Sequence, residues 1–94
     1  MAIVFVQDVD GGSQEIYDKV NAKLDVRSNP PAGLIIHTAG PTEAGWRVVD
    51  VWESEDALMR FRNERLMPAI DAAVGQLPGE PKIQITPVYD LLQP

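Results

Sequence analysis

The stretch that decides the fold runs over residues 33–68, GLIIHTAGPTEAGWRVVDVWESEDALMRFRNERLMP. Its side chains follow a two-residue rhythm as far as Trp52 and a helical one from Ser54 onward, which predicts a hairpin followed by a helix. Residues 33–39 and 46–53 read as strands joined by the glycine-flanked loop GPTEAG at 40–45. Successive side chains on a strand point to opposite faces. Leu34, Ile36, Val49 and Val51 therefore share one face, and Ile35, His37, Trp46, Val48, Asp50 and Trp52 share the other. Pairing symmetric about the loop places Ala39 opposite Trp46, His37 opposite Val48 and Ile35 opposite Asp50, and a one-residue slip would exchange the sets on one strand.

Working outward, Ser54 is a helix N-cap, and Glu55 and Asp56 complement the helix dipole. Leu58 and Phe61 begin an apolar stripe, but its next members, Leu66, Ile70, Ala73 and Leu77, are rotated by about one residue, or roughly 100°. Pro68 lacks the N–H that a helix interior requires, so a break is expected between Glu64 and Pro68. Gly75 ends the helix. Upstream, residues 2–9 (AIVFVQDV) are apolar on both faces, as in a central strand. After Asp10-Gly11-Gly12, Ser13 caps a helix carrying Ile16, Tyr17, Val20 and Leu24 to about Val26, and the prolines at 30 and 31 stop it. Tyr17 and Phe61 read as core. Residues 82–88 form the last strand and 89–94 a short apolar tail.

The order strand, helix, strand, strand, helix, strand is the ferredoxin-like βαββαβ arrangement, an α+β fold with a four-stranded antiparallel sheet and two helices on one face. No repeat or linker divides it, so residues 1–94 are expected to form a single domain. At 94 residues such a domain buries only about 60 to 70 % of its unfolded surface, and a second subunit would add to a modest core. The net charge of −6, with eight Lys and Arg scattered among fourteen acids, argues against nucleic acid, which calls for a basic stripe. There is no cysteine and one histidine, which leaves no disulfide framework and few soft metal ligands. The N-terminus lacks a basic leader, and no apolar run approaches the ~18 residues of a membrane span. A cytoplasmic protein that contacts no membrane is expected.

Two helices cover one face of a four-stranded sheet. The face carrying His37 and the two tryptophans is expected to be the open one, and each Trp offers on the order of 150 to 250 Å² of apolar surface. That exceeds what soluble monomers usually expose, so a homodimer pairing these faces around a barrel-like space is expected.

The segment GWRVVDVWESEDALMRF, with its Trp-Glu-Ser junction between third strand and second helix, resembles the dimeric α/β-barrel superfamily, most closely the antibiotic biosynthesis monooxygenase (ABM) domains. The match in motif spans Val48 to Phe61; the match in topology spans most of the chain. The resemblance implies a pairing of ferredoxin-like protomers into a dimeric α/β barrel. It also implies a pocket wall at Trp52, because quinone-forming monooxygenases of aromatic polyketide pathways use a third-strand Trp in that way. Haem-degrading members combine a first-strand Asn, the third-strand Trp and a haem-ligating His on the second helix. Here those places hold Gln7, Trp52 and Arg60 to Arg62, so no haem and no other cofactor is expected.

His37 and Asp50 are diagonal neighbours across the predicted hairpin, and an aspartate there can orient an imidazole as a general base. In a cofactor-independent oxygenase a base converts a phenol or enol into an electron-rich anion that reduces dioxygen itself. Trp46, Trp52, Ile35 and Val48 suit a flat apolar substrate, and an inward-facing Gln7 can hydrogen-bond an oxyanion. The assignment requires His37 to point away from the helices. The alternative is structural: a satisfied His–Asp pair, indoles packed in a dimer interface, and Asp50 neutralising a partner arginine. Two functional classes follow, a cofactor-free monooxygenase (or isomerase or cyclase) acting on a small aromatic or enolic metabolite, and a non-catalytic ligand-binding or accessory dimer.

Overall fold

The computed structural model describes residues 1–94. Its elements are β1 (Ile3–Asp10), α1 (Gln14–Leu24), β2 (Leu34–Pro41), β3 (Gly45–Trp52), α2 (Glu55–Phe61), a π-helical turn (Arg62–Leu66), α3 (Met67–Val74) and β4 (Lys82–Pro87). The strands form one antiparallel sheet in the order β2-β3-β1-β4. This is the ferredoxin-like βαββαβ fold, with the apolar β1 at a central position.

Local chemistry sets the boundaries. The Ser13 hydroxyl accepts from the Ile16 N–H at 3.2 Å and the Ser54 hydroxyl from the Ala57 N–H at 3.1 Å, satisfying N–H groups that a helix start leaves free. At its other end α1 closes on Asp25 in the left-handed conformation, φ 51°. Gly33, at φ 88°, lies where a Cβ would come within 2.6 Å of the Ala57 Cβ. It lets β2 begin tight against the start of α2.

The expected helix break is a π turn within one continuous helical run. Pro68 has no N–H, and its ring would crowd the carbonyl four residues back. Widening the turn relieves this: the Met67 N–H bonds the Arg62 carbonyl, five residues back. The extra residue also absorbs the one-residue step in the apolar stripe, so Leu58, Phe61, Leu66 and Ile70 all line the same cavity.

Three expectations about the hairpin are corrected. Its strands run further into the loop, leaving only residues 42–44 between them, so His37 pairs with Asp50, Ala39 with Val48 and Pro41 with Trp46. The shift is an even number of residues, so His37, Trp46, Val48, Asp50 and Trp52 still share a face. A bulge between Leu34 and Ile36 then puts Leu34 opposite Trp52 and leaves Ile35 as the extra, unpaired residue, which takes Leu34 onto that face and Ile35 out of the set.

The third correction is larger. The face bearing His37 and Trp52 is the one the helices cover, not the open one. Ile3, Phe5, Trp52 and Leu58 form the core cluster, and Phe61 packs its ring 5.3 Å from that of Trp52. The physical reason is size. β3 carries apolar residues on both faces, so alternation alone cannot choose between them, and the face with two indoles and Phe5 has the most area to remove from water. Val4, Val6, Ile36, Val49 and Val51 lie on the outer face, where Ile36 is 49 % exposed.

Candidate active site

The helix-side face is not filled. Between the sheet and the helices lies a cavity of about 330 Å³, open to solvent and lined mostly by apolar side chains. That volume is at the lower end for small-molecule sites. β1 contributes Phe5, Gln7 and Val9, and β3 contributes Trp46, Val48, Asp50 and Trp52. Leu34 and His37 come from β2, Tyr17 and Val20 from α1, and Phe61, Arg62 and Leu66 from the second helical run.

A chain of polar groups runs along one wall. The Asp50 carboxylate, 6 % exposed, sits 2.6 Å from His37 Nδ1. A carboxylate oxygen accepts, so in the neutral imidazole the tautomer that fits has its proton on Nδ1 and its lone pair on Nε2. That lone pair accepts the Tyr17 hydroxyl at 2.7 Å. The other Asp50 oxygen accepts from the Trp52 indole N–H at 3.2 Å, so both carboxylate oxygens are engaged and the carboxylate is fixed in place. The Tyr17 ring lies nearly parallel to His37, at 8° and 6.1 Å, and is tilted against Trp46 at 5.4 Å. Burial raises the Tyr17 pKa above the ordinary tyrosine value, the Asp50 charge adds to this, and Arg27 opposes it.

A second polar feature faces the same space. Arg62 Nη1 donates to Gln7 Oε1 at 2.8 Å, and the guanidinium lies 5.5 Å from the centre of the Phe5 ring. Desolvation lowers its pKa from the ordinary arginine value. No group of three or more His, Cys, Asp or Glu side chains comes together to hold a metal ion.

Of the residues singled out by sequence, His37, Asp50, Trp46, Trp52, Val48 and Gln7 line this one cavity; Ile35, displaced by the bulge, does not. His37 points toward the helices, contrary to the requirement stated for it, yet it meets an open cavity rather than filled core. Sequence reasoning missed Tyr17 and Arg62. The signal for Tyr17 was its hydroxyl, a polar group in the apolar stripe of α1 that must find a partner once buried. For Arg62 it was a cation on the azimuth of Leu58.

The same ferredoxin-like fold occurs in solved structures described as antibiotic biosynthesis monooxygenases, at 22 % identity or less. Among similar solved structures, a protein of unknown function from Nitrosomonas europaea superposes with a TM-score of 0.72 at 18 % identity, covering 99 % of this chain and 93 % of that one. A candidate antibiotic biosynthesis monooxygenase from Caulobacter crescentus gives 0.68 at 22 % identity, with 95 % and 91 % covered. SnoaB, a cofactor-independent oxygenase from Streptomyces nogalater, gives 0.67 at 17 % identity, with 97 % and 96 % covered. No family model matches the sequence, and no curated protein matches it.

Proposed function

We propose that this chain is a cofactor-independent monooxygenase-like enzyme acting on a small aromatic or enolic metabolite held in the apolar cavity. The observation that carries the reading is the Tyr17–His37–Asp50 chain, whose proton-accepting lone pair is directed toward a hydroxyl at the cavity wall. A substrate hydroxyl donating to the Tyr17 oxygen passes its proton along the chain: Tyr17 gives its own proton to His37 Nε2, and Asp50 stabilises the imidazolium. The resulting phenolate or enolate is electron-rich, and the surrounding indoles and valines give it an apolar wall on which the ring lies. Dioxygen is the oxidant. One oxygen atom becomes a ring carbonyl, the other leaves as water with the two hydrogens lost from the substrate C–H and O–H groups, and the ring is oxidised to a quinone.

The test is oxygen uptake with anthrone, a flat enolisable ketone whose product by this stoichiometry is anthraquinone and one water. His37→Ala lowers the rate by about 10² to 10⁴ if the imidazole is the base. Binding of anthrone without turnover in the native protein supports the non-catalytic alternative instead. The proposal includes a homodimer, now argued from the outer sheet face, where Val4, Val6, Ile36, Val49 and Val51 have no cover from the chain's own helices. A sedimentation coefficient of a monomer at micromolar concentration argues against that assembly.

A further inference from the structure

Arg62 is a half-buried cation without a counter-ion. None of the four ion pairs in the protein involves it, and its one side-chain hydrogen bond is to a neutral amide. Arg65, one turn on, differs: its guanidinium is tied to the Leu24 and Asn29 carbonyl oxygens at 3.0 and 2.8 Å. Holding a charge in an apolar cavity is unfavourable unless an opposite charge completes it. No carboxylate of the protein forms an ion pair with Arg62, whose contacts are the Gln7 amide and the Phe5 ring. Gln7 points the same way. With Oε1 turned to Arg62, its amide NH₂ has no partner within the chain, so this end of the cavity presents donors and no acceptor.

We infer that Arg62 and Gln7 form an anion-anchoring subsite, and that the ligand of this cavity is a flat aromatic acid carrying an ionisable hydroxyl at its far end. The sheet register gives the spacing. His37, Asp50 and Phe5 lie in one row across β2, β3 and β1, and Arg62 sits over Phe5. Two strand spacings separate the Tyr17–His37 end from the Arg62 end, about 10 Å. A planar fused-ring skeleton spans that distance between the Trp46 and Phe61 walls, its carboxylate taken by Arg62 and Gln7 and its hydroxyl by Tyr17. This deepens the functional reading above and rests on the cavity being a ligand site, but it concerns binding alone.

The probe is 6-hydroxy-2-naphthoate, whose acid and hydroxyl stand at opposite ends of a flat bicycle, set against its neutral methyl ester. Both are titrated into the purified native protein by calorimetry. The acid is expected to bind about ten- to a hundredfold more tightly, the range for a hydrogen bond to a charged group. Arg62→Met removes that preference while leaving ester binding intact, and Arg62→Lys retains part of it, with circular dichroism confirming that both variants fold. Arg27→Ala, which removes an exposed cation at the cavity rim, changes acid binding by at most about fivefold. Equal affinity for acid and ester, no binding of either, or a preference that survives in Arg62→Met overturns the inference. Failure of anthrone oxidation with the acid preference intact strikes the oxygenase reading and leaves the subsite standing.

Discussion

Both faces of this sheet carry apolar residues, about twice as many on the inner face as on the outer, and they behave differently. On the inner face bulky side chains alternate with polar ones, and because indoles, a phenol and a phenyl ring cannot tile the space beneath two helical runs, a cavity remains. On the outer face the side chains are small and β-branched, and the charges pair locally, Arg47 to Asp8 at 2.7 and 3.0 Å and Lys82 to Asp10 at 3.2 Å. The lesson is that apolar content alone does not make a binding face. Side-chain size and the presence of polar groups that need partners do.

The largest effect expected from this contrast is on stability. Trp52, 1 % exposed and at the centre of the core cluster, should cost about 3 to 5 kcal/mol when truncated to Ala. Val49→Ala on the outer face should cost about 1 kcal/mol or less in the isolated chain. Urea titration of both variants decides it, and equal losses would mean that the outer face is as tightly covered as the inner.

Next is the polar wall. Tyr17→Phe keeps the ring against Trp46 and removes the hydroxyl that caps His37, so it should lower anthrone turnover within about tenfold of the His37→Ala effect. Its stability change should stay near the ~1 kcal/mol of one hydrogen bond. A fully active Tyr17→Phe enzyme would move the proton path elsewhere.

The same hydroxyl predicts a pH effect. The folded pKa of Tyr17 is raised, so its contribution is intact below the ordinary tyrosine pKa near 10 and is lost as pH climbs from there through the raised folded value. Thermal melts from pH 8 to 11 should fall more steeply for the native protein than for Tyr17→Phe; parallel curves would contradict the burial of this group.

The smallest effect lies outside. The Arg47 guanidinium hydrogen-bonded to Asp8 lowers its carboxyl pKa, a contribution present above the ordinary aspartate pKa and lost as pH falls through the lowered folded value. The pair is exposed and screened by salt. Asp8→Asn should shift the melting temperature barely measurably, and 1 M salt should erase the difference.

Much of the fold was legible because its signals are local. The Ser13 and Ser54 caps, the strand alternation and the stripe step at Pro68 each depend on a few neighbouring residues. The membership of the polar set was legible too, since an even shift in hairpin register preserves alternation. The sidedness of the sheet was not. His37 and Asp50 suggested an outward face; the buried carboxylate of Asp50 is made tolerable by His37 from β2 and by the Trp52 indole two residues along β3, and His37 in turn meets Tyr17 on α1. Ile35 was misplaced because a bulge leaves no mark in a run of three aliphatic residues, Leu34-Ile35-Ile36. Arg62 carried a signal, a cation on the azimuth of Leu58, but nothing local marks it as unpaired, because the lack of a counter-ion is a property of the assembled molecule.

The π turn gives the second helical run one residue more than an α-helical turn would hold, and that residue is what accommodates Pro68. Asn63 and Glu64 within it are exposed, so deletion of either would remove the extra residue without cutting into the cavity wall, and would press the Pro68 ring back against the carbonyl four residues before it. The chain's length is therefore negotiable here only together with Pro68. A shortened descendant would have to replace that proline as well, so the length of this helical run and the identity of residue 68 are inherited together.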